Sequence, residues 1–277
     1  MSDLPVIASF WHGSDLTFFE QVVVQSYLDR GHRFQLYALG PIGGVPAGAE
    51  VCDAREILPA LPFSLEPPDR HRVAVFSDIF RLHLMAKQDC IWVDMDAYCV
   101  RPFDFGPGPI FACNPEGRAL TGVMRLPPES PCLRGMLDFV MAENPIQPWR
   151  GRRFRASRAA EVANGARWGI KDLSWGCSGP KAFTHFLKES GEYVAAMATP
   201  VFYPLLRDQV LKIFDRKGPW DEIEQPETRS VHLFGFAKRL ILSDLGGLPP
   251  KGSYLDGICH RHGVDAGAAP VRAESIF

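Results

Sequence analysis

A chain of 277 residues, 46% apolar and 22% charged, is long enough to bury one sizeable core, and its formal net charge of -2 lacks the basic footprint that accompanies nucleic-acid binding. Seven scattered cysteines (Cys52, Cys90, Cys99, Cys113, Cys132, Cys177 and Cys259) include no Cys-x-x-Cys pair, which argues against a disulfide framework or a zinc ribbon and for thiols in a reducing cytoplasm. No stretch reaches the ~18 to 20 apolar residues that span a bilayer, and Met-Ser-Asp-Leu-Pro lacks the basic start of a secretory signal, so a cytoplasmic protein is expected, with peripheral contact at the inner membrane face still open.

In chain order, residues 6 to 10 read as a buried strand, 16 to 28 as a helix and 33 to 39 as a second strand, a β-α-β start. Glycines and prolines from 40 to 48 mark a turn before a short strand at 50 to 52. Residues 72 to 87 predict a helix buried nearly all round, with Val73, Phe76, Phe80 and Leu84 at helical spacing, leading into a strand at 90 to 96. Strands are expected at 110 to 114 and 120 to 125, and helices at 133 to 143 and 180 to 191. Alternating strands and helices imply an α/β fold whose mostly parallel central sheet is flanked by helices, with ligands at the strands' carboxyl ends. One domain over 1 to 262 is expected, followed by a flexible tail over 263 to 277.

Three groups of residues carry chemistry. Cys90-Ile-Trp-Val-Asp-Met-Asp96 is an apolar run ending in Asp94 and Asp96, which strand alternation would aim to one side. Two converging carboxylates suit a hard divalent cation that keeps positions for water and phosphate, although acidic pairs at strand ends are also common solvated turn formers. Ser77, Asp78 and Arg81 share one face of the buried helix, where a charge must be paired or must line a polar cavity. Far downstream, His232, Gly235 and Lys238 supply an imidazole, a position of close backbone approach and a cation suited to phosphate. Trp11 ends the first strand at the expected ligand edge, as a stacking surface or as a core aromatic.

Together these residues resemble the metal-dependent retaining glycosyltransferases of the GT-A (Rossmann-like) fold. The likeness is to family 32, with its alpha-1,4-galactosyltransferase-like enzymes and bacterial capsule or lipopolysaccharide sugar transferases. Phe76-Ser-Asp-Ile-Phe-Arg81 is similar to that group's Ser-Asp-x-x-Arg helix, which precedes an Asp-x-Asp strand; Trp175-Gly-Cys-Ser-Gly-Pro180 with Phe183-Thr184 is similar to its Gly-Pro segment. Phe202-Tyr-Pro204 followed by Ser230-Val-His232 resembles its closing motif, and His232, Gly235 and Lys238 resemble the His-x-x-Gly-x-x-Lys ending of family 8. The likeness spans residues 6 to 240. Lys87-Gln-Asp-Cys90 stands where the family has a Gly-Gly pair, so the turn into the strand must be built differently.

The resemblance implies a UDP-sugar donor, a glycan or glycolipid acceptor, and Mn2+ or Mg2+ on Asp94, Asp96 and His232. It also implies that Asp78, Arg81 and Asp94 act on the donor sugar, with Trp11, Ser77, Gly235 and Lys238 completing the nucleotide-sugar site. A haloacid-dehalogenase-like phosphatase, with Asp94 as nucleophile, and a non-catalytic sugar-binding protein are the alternatives. Between residues 149 and 168, five arginines within nine residues alternate with aromatics, which fits an anionic membrane or acidic acceptor as well as a solvated loop.

Overall fold

The computed structural model describes residues 4 to 66, 69 to 216 and 220 to 275. A five-stranded sheet is built from β1 (Ile7–Trp11), β2 (Phe34–Ala38), β3 (Glu50–Asp53), β4 (Ile91–Val93) and, after a short strand apart from it, β6 (Val123–Met124). Its order is β3-β2-β1-β4-β6, parallel throughout except for the antiparallel β4-β6 edge. The short strand β5 (Ala97–Cys99) pairs antiparallel with β7 (Ser230–His232) in a separate two-stranded sheet.

Helices cover both faces, giving the α/β architecture read from the sequence. On one face, α1 (Phe18–Asp29) and α8 (Tyr254–Arg261) pack with Ile7, Leu36, Ile91 and Val93. α1 begins at Thr17, whose backbone N and hydroxyl both donate to Glu20, at 3.0 and 2.6 Å, and it buries Phe18, Phe19, Val22 and Val23. The other face takes α2 (Arg70–Lys87), α3 (Pro131–Met141) and α5 (Pro180–Ser190). α2 starts at Asp69, which accepts from Arg72 N at 2.8 Å, and sets Phe76 and Phe80 within 5.0 and 5.3 Å of Phe10. Where the resembling family has glycines, Gln88 ends α2 and donates to Tyr37 on β2 at 3.0 Å, so a side-chain hook makes the turn into β4.

Several expectations need correction. Only Val123–Met124 of the two expected mid-chain strands pairs in a ladder; Ile110 with Arg125 and Cys113 with Ala119 form isolated bridges, because prolines at 107, 109 and 115 leave short runs between turns. Helices α4 (Arg152–Ala163), α6 (Trp220–Ile223), α7 (Ala237–Leu245) and α8 lie in segments that gave no clear helical period. Residues 263 to 275 are not a loose tail. Ala269 O accepts from Phe18 N at 2.7 Å, and Val271 is buried and donates to Gly247 O at 2.9 Å; residues 276 and 277 lie outside the described residues. No helix among the described residues is long and apolar enough to cross a membrane.

His32 clips the N-terminal strand to the loop after β5. Its Nε2 accepts from Phe103 N at 2.9 Å, so Nδ1 must carry the proton donated to Pro5 O at 2.9 Å. Burial pushes its pKa below the ordinary histidine value, against the pull of Pro5 O and Asp104. The folded state therefore holds the neutral ring while the unfolded chain takes up the proton, and this contribution fades as pH falls below about 6.5. His32→Ala is expected to cost about 1 to 3 kcal/mol in urea unfolding at neutral pH. Between neutral pH and about pH 5.5, wild type should lose more stability than His32→Gln.

Candidate active site

The site lies at the carboxyl ends of β1 and β4. β4 stops at Val93, and Ala97 N donates to Asp94 O at 2.9 Å, so a tight turn, rather than strand alternation, brings Asp94 and Asp96 together. The antiparallel pairing of β5 with β7 sets His232 opposite Ala97, next to Asp96. His232 Nε2 then stands 3.1 Å from Asp96 Oδ1 and 3.9 Å from Asp94 Oδ2. Tyr203 stacks on the imidazole at 5.3 Å and Phe234 packs at 4.5 Å. A Cβ at Gly122 would fall 2.5 Å from Nε2, so only glycine leaves the ring its place.

One carboxylate oxygen from each of Asp94 and Asp96 and one ring nitrogen of His232 lie within 4.8 Å of one another. The imidazole is near Asp96 Oδ1 but is not aligned with it as a hydrogen bond, so this oxygen and His232 Nδ1 are buried without a hydrogen-bond partner among the described residues. Burial lifts the Asp96 pKa, and the neighbouring Asp94 adds to the rise against His232 and Gly235. For His232 burial disfavours the charged ring, yet Asp96 and Asp94 prevail and raise its pKa. A divalent cation would relieve both strains, and two carboxylates with one imidazole are a donor set that suits Mn2+ or Mg2+.

Behind this turn Arg81, 5% exposed, joins two carboxylates: Nη2 lies 3.3 Å from Asp78 Oδ1 and 3.2 Å from Asp94 Oδ1. Its other donors reach Thr121 O at 2.6 Å and the Ser77 carbonyl and hydroxyl at 3.2 Å, while the guanidinium lies 4.6 Å from the Trp92 ring centre. Trp92 Nε1 donates to Asp94 at 2.8 Å, and Gly235 N donates to Asp96 Oδ2 at 2.6 Å. Ser178 donates to Asp78 at 2.6 Å, and a Cβ on Gly179 would come within 2.9 Å of that carboxylate. Burial raises the Asp78 pKa despite Arg81 and Ser178; at Asp94 burial is outweighed by Arg81 and His232, and the pKa falls.

Asp78, Arg81, Trp92, Asp94, Asp96, Thr121 and Ser178 border a cleft of about 380 Å³ that Trp11, Ser77, Gly235 and Lys238 also line, while His232 stands behind the two aspartates. Lys238 is not a free cation on the surface. It is buried, its Nζ donates to Glu20 at 2.7 Å and lies 5.3 Å from the Trp11 ring centre. Trp11 is half-buried, and its Nε1 has no hydrogen-bond partner among the described residues. Glu20 is the residue that sequence reasoning missed; the Thr17-x-x-Glu20 capping pattern was visible, but nothing local marks the same carboxylate as the partner of a lysine from α7. Ser178 and Gly122 were missed for the same reason, since each matters only through a distant contact. At the rim stands Trp175, 56% exposed, 5.7 Å from His71 and from the Arg70 guanidinium.

Lys238→Met strands Glu20 as a buried unpaired charge and is expected to cost about 3 to 5 kcal/mol in chemical denaturation. Adding Glu20→Gln should restore most of that loss, because two neutral groups need no counter-charge. An equal loss in the double variant would show that the lysine acts through packing.

No family model matches the chain, and no curated protein does. Among solved structures, one titled "PaToxG Glycosyltransferase" is similar over 82% of this chain and 89% of that chain, at 13% identity and a TM-score of 0.43. At that identity and score the likeness decides nothing about chemistry, which rests on the geometry of the cleft.

Proposed function

We propose that the protein is a GT-A-type glycosyltransferase that moves a hexose from a nucleotide-diphosphate sugar, a UDP-sugar in particular, to a hydroxyl of a glycan or glycolipid with retention of configuration. The observation that carries this reading is the meeting of Asp94, Asp96 and His232 beside a buried Asp78-Arg81-Asp94 bridge at one end of a single cleft. Asp94, Asp96 and His232 would hold Mn2+ or Mg2+, which when bound offsets the charge gathering on the departing diphosphate.

The chain's own groups divide the remaining work. Arg81 is fixed by three backbone or side-chain oxygens besides its carboxylates, so Asp78 presents a rigid acceptor to donor-sugar hydroxyls; fixing orientation in this way lowers the barrier by several kcal/mol. Trp11 offers an aromatic face to the base, and Gly235 lets the backbone approach the phosphates. Lys238 lies where it can turn from Glu20 towards a diphosphate. Every carboxylate bordering the cleft already has a cationic or hydrogen-bonding partner: Glu20 has Lys238, Asp78 has Arg81 and Ser178, Asp94 has Arg81 and Trp92, and Asp96 has Gly235 N. This favours a front-face substitution without a covalent enzyme intermediate over attack by a side chain.

Nucleotide release from a panel of UDP- and GDP-sugars in Mn2+ is expected to single out one donor, even without acceptor. Silence across the panel, with no Mn2+ bound at the site by titration, would overturn the assignment. Asp96→Asn keeps the hydrogen bond from Gly235 and should leave the melting temperature near wild type, yet weaken Mn2+ binding by at least about a hundredfold and abolish release. Asp78→Asn is expected to reduce transfer far more than UDP affinity, because UDP carries no sugar. Its stability loss should fall short of the about 3 to 5 kcal/mol of a broken buried pair, since Arg81 keeps Asp94.

A further inference from the structure

The arginine-rich segment is neither a loop nor part of the cleft. Residues 152 to 163 form α4, a 12-residue helix with no buried residue. Its aromatic neighbours serve as its mount. Trp149 packs on Phe139 at 5.2 Å, and Trp168 lies under the Arg158 guanidinium at 3.7 Å while donating to Pro145 O at 3.0 Å. Phe154, Arg158, Glu161 and Val162 are half-buried along one side of the helix, and Glu161, its one carboxylate, is held by Arg158 at 2.6 Å.

The exposed side carries Arg152, Arg153 and Arg155 together with Ala156, Ala159, Ala160 and Ala163. None of those three guanidinium groups meets a carboxylate or an aromatic ring among the described residues. All three stand in the first turn or just beyond it, behind Gly151, which supplies no side-chain cap, and no acidic residue accompanies them. This placement opposes the helix dipole, whose positive end disfavours cations. The cluster therefore weakens the helix that displays it and brings no internal partner in return. Such a local conflict marks a surface shaped for something outside the chain.

We propose that α4 is an electrostatic docking surface for an anionic phospholipid membrane. The face is the outer side of a helix with no buried residue, and no α4 residue lines the cleft described above. Positive charge is concentrated in four residues spanning about 6 Å of helix, which matches a planar field of headgroups better than an extended polyanion needing a track. Small alanines follow the arginines along the exposed side and let the backbone approach the surface, and no large apolar residue on that side is available for insertion, so attachment is at headgroup level. With a formal net charge of -2 for the whole chain, attraction to an anionic surface has to come from a local cluster such as this one, which would then set the orientation of the molecule. The mount reaches the cleft rim: after Trp168 the chain enters the turn at Ile170–Asp172, where Lys171 O meets His71 Nε2 at 3.1 Å, and His71 borders the cleft beside Trp175.

The test is co-sedimentation of the full chain, without donor or metal, with phosphatidylcholine vesicles carrying about one third phosphatidylglycerol and with pure phosphatidylcholine. Wild type should partition onto the anionic vesicles only. Arg152→Gln, Arg153→Gln and Arg155→Gln combined should lower the partition coefficient by about a hundredfold, and raising salt from about 0.1 M to about 0.5 M should do the same. The variant's melting temperature should equal or exceed that of wild type, since the dipole conflict is removed. Acceptor-free donor hydrolysis should be unchanged, so vesicle binding and the transferase assignment stand or fall separately. Equal binding by the triple variant, binding to neutral vesicles, or no binding to either overturns the proposal. Retention on an acidic polysaccharide through the same arginines, without vesicle binding, also overturns it and assigns the surface to a soluble polyanion.

Discussion

The buried guanidinium of Arg81 is the contact on which the site depends. It stands between Asp78 on the same helix and Asp94 on the turn after β4, with further donors given to Thr121 O and to the Ser77 carbonyl and hydroxyl. Without it, two half-buried carboxylates would face each other across a cleft wall, and the repulsion would open the helix-to-turn contact. With it, the orientation of α2 is transmitted to the position of Asp94 oxygen by oxygen. The packing of Phe76 and Phe80 on the sheet is therefore also a device for placing a carboxylate.

A second constraint is the division of charge within the cleft. Arg81 lowers the Asp94 pKa after burial would have raised it, while Asp96, two residues on, makes no ion pair with an arginine among the described residues and is left with a raised pKa. Carboxylates so close in sequence thus differ in character. Asp94 gives Oδ1 to Arg81 and Trp92 and keeps Oδ2 on the His232 side, whereas Asp96 keeps Oδ1 without a hydrogen-bond partner at the shared point with His232. Glu20 and Lys238 form a separate neutral unit on the α1 side, so this lysine's charge is free for a ligand only when something stronger than Glu20 draws it away.

Much of this was legible because it is periodic or local. The β-α-β start, the buried helix with Ser77, Asp78 and Arg81, and the Asp94-x-Asp96 pair could be read from apolar spacing and short motifs. The arrangement of Asp94 and Asp96 was anticipated for an incorrect reason, strand alternation, where a tight turn does the work. His232 was found by residue type, but its meeting with Asp96 comes from pairing between β5 and β7, a long-range register that no window of sequence contains. The same holds for Gly122 and Ser178, whose roles are distances to His232 and Asp78. Helices α7 and α8 escaped because they are short, nine and eight residues, and helices of that length are marginal on their own, so tertiary burial, rather than pattern strength, decides their state.

The two-stranded β5-β7 sheet also has a consequence for how the molecule is made. β5 emerges from the ribosome well before β7, and the imidazole that completes the cluster of Asp94 and Asp96 arrives with the latter. Throughout that interval the nascent chain holds the two acidic side chains beside a vacant edge strand, and the ring's stacking partners Tyr203 and Phe234 are equally late. The cleft is thus assembled by the closing of a long loop, whose entropy is offset only once β7 has been made and has paired with β5. A chain released early carries the motif without the site.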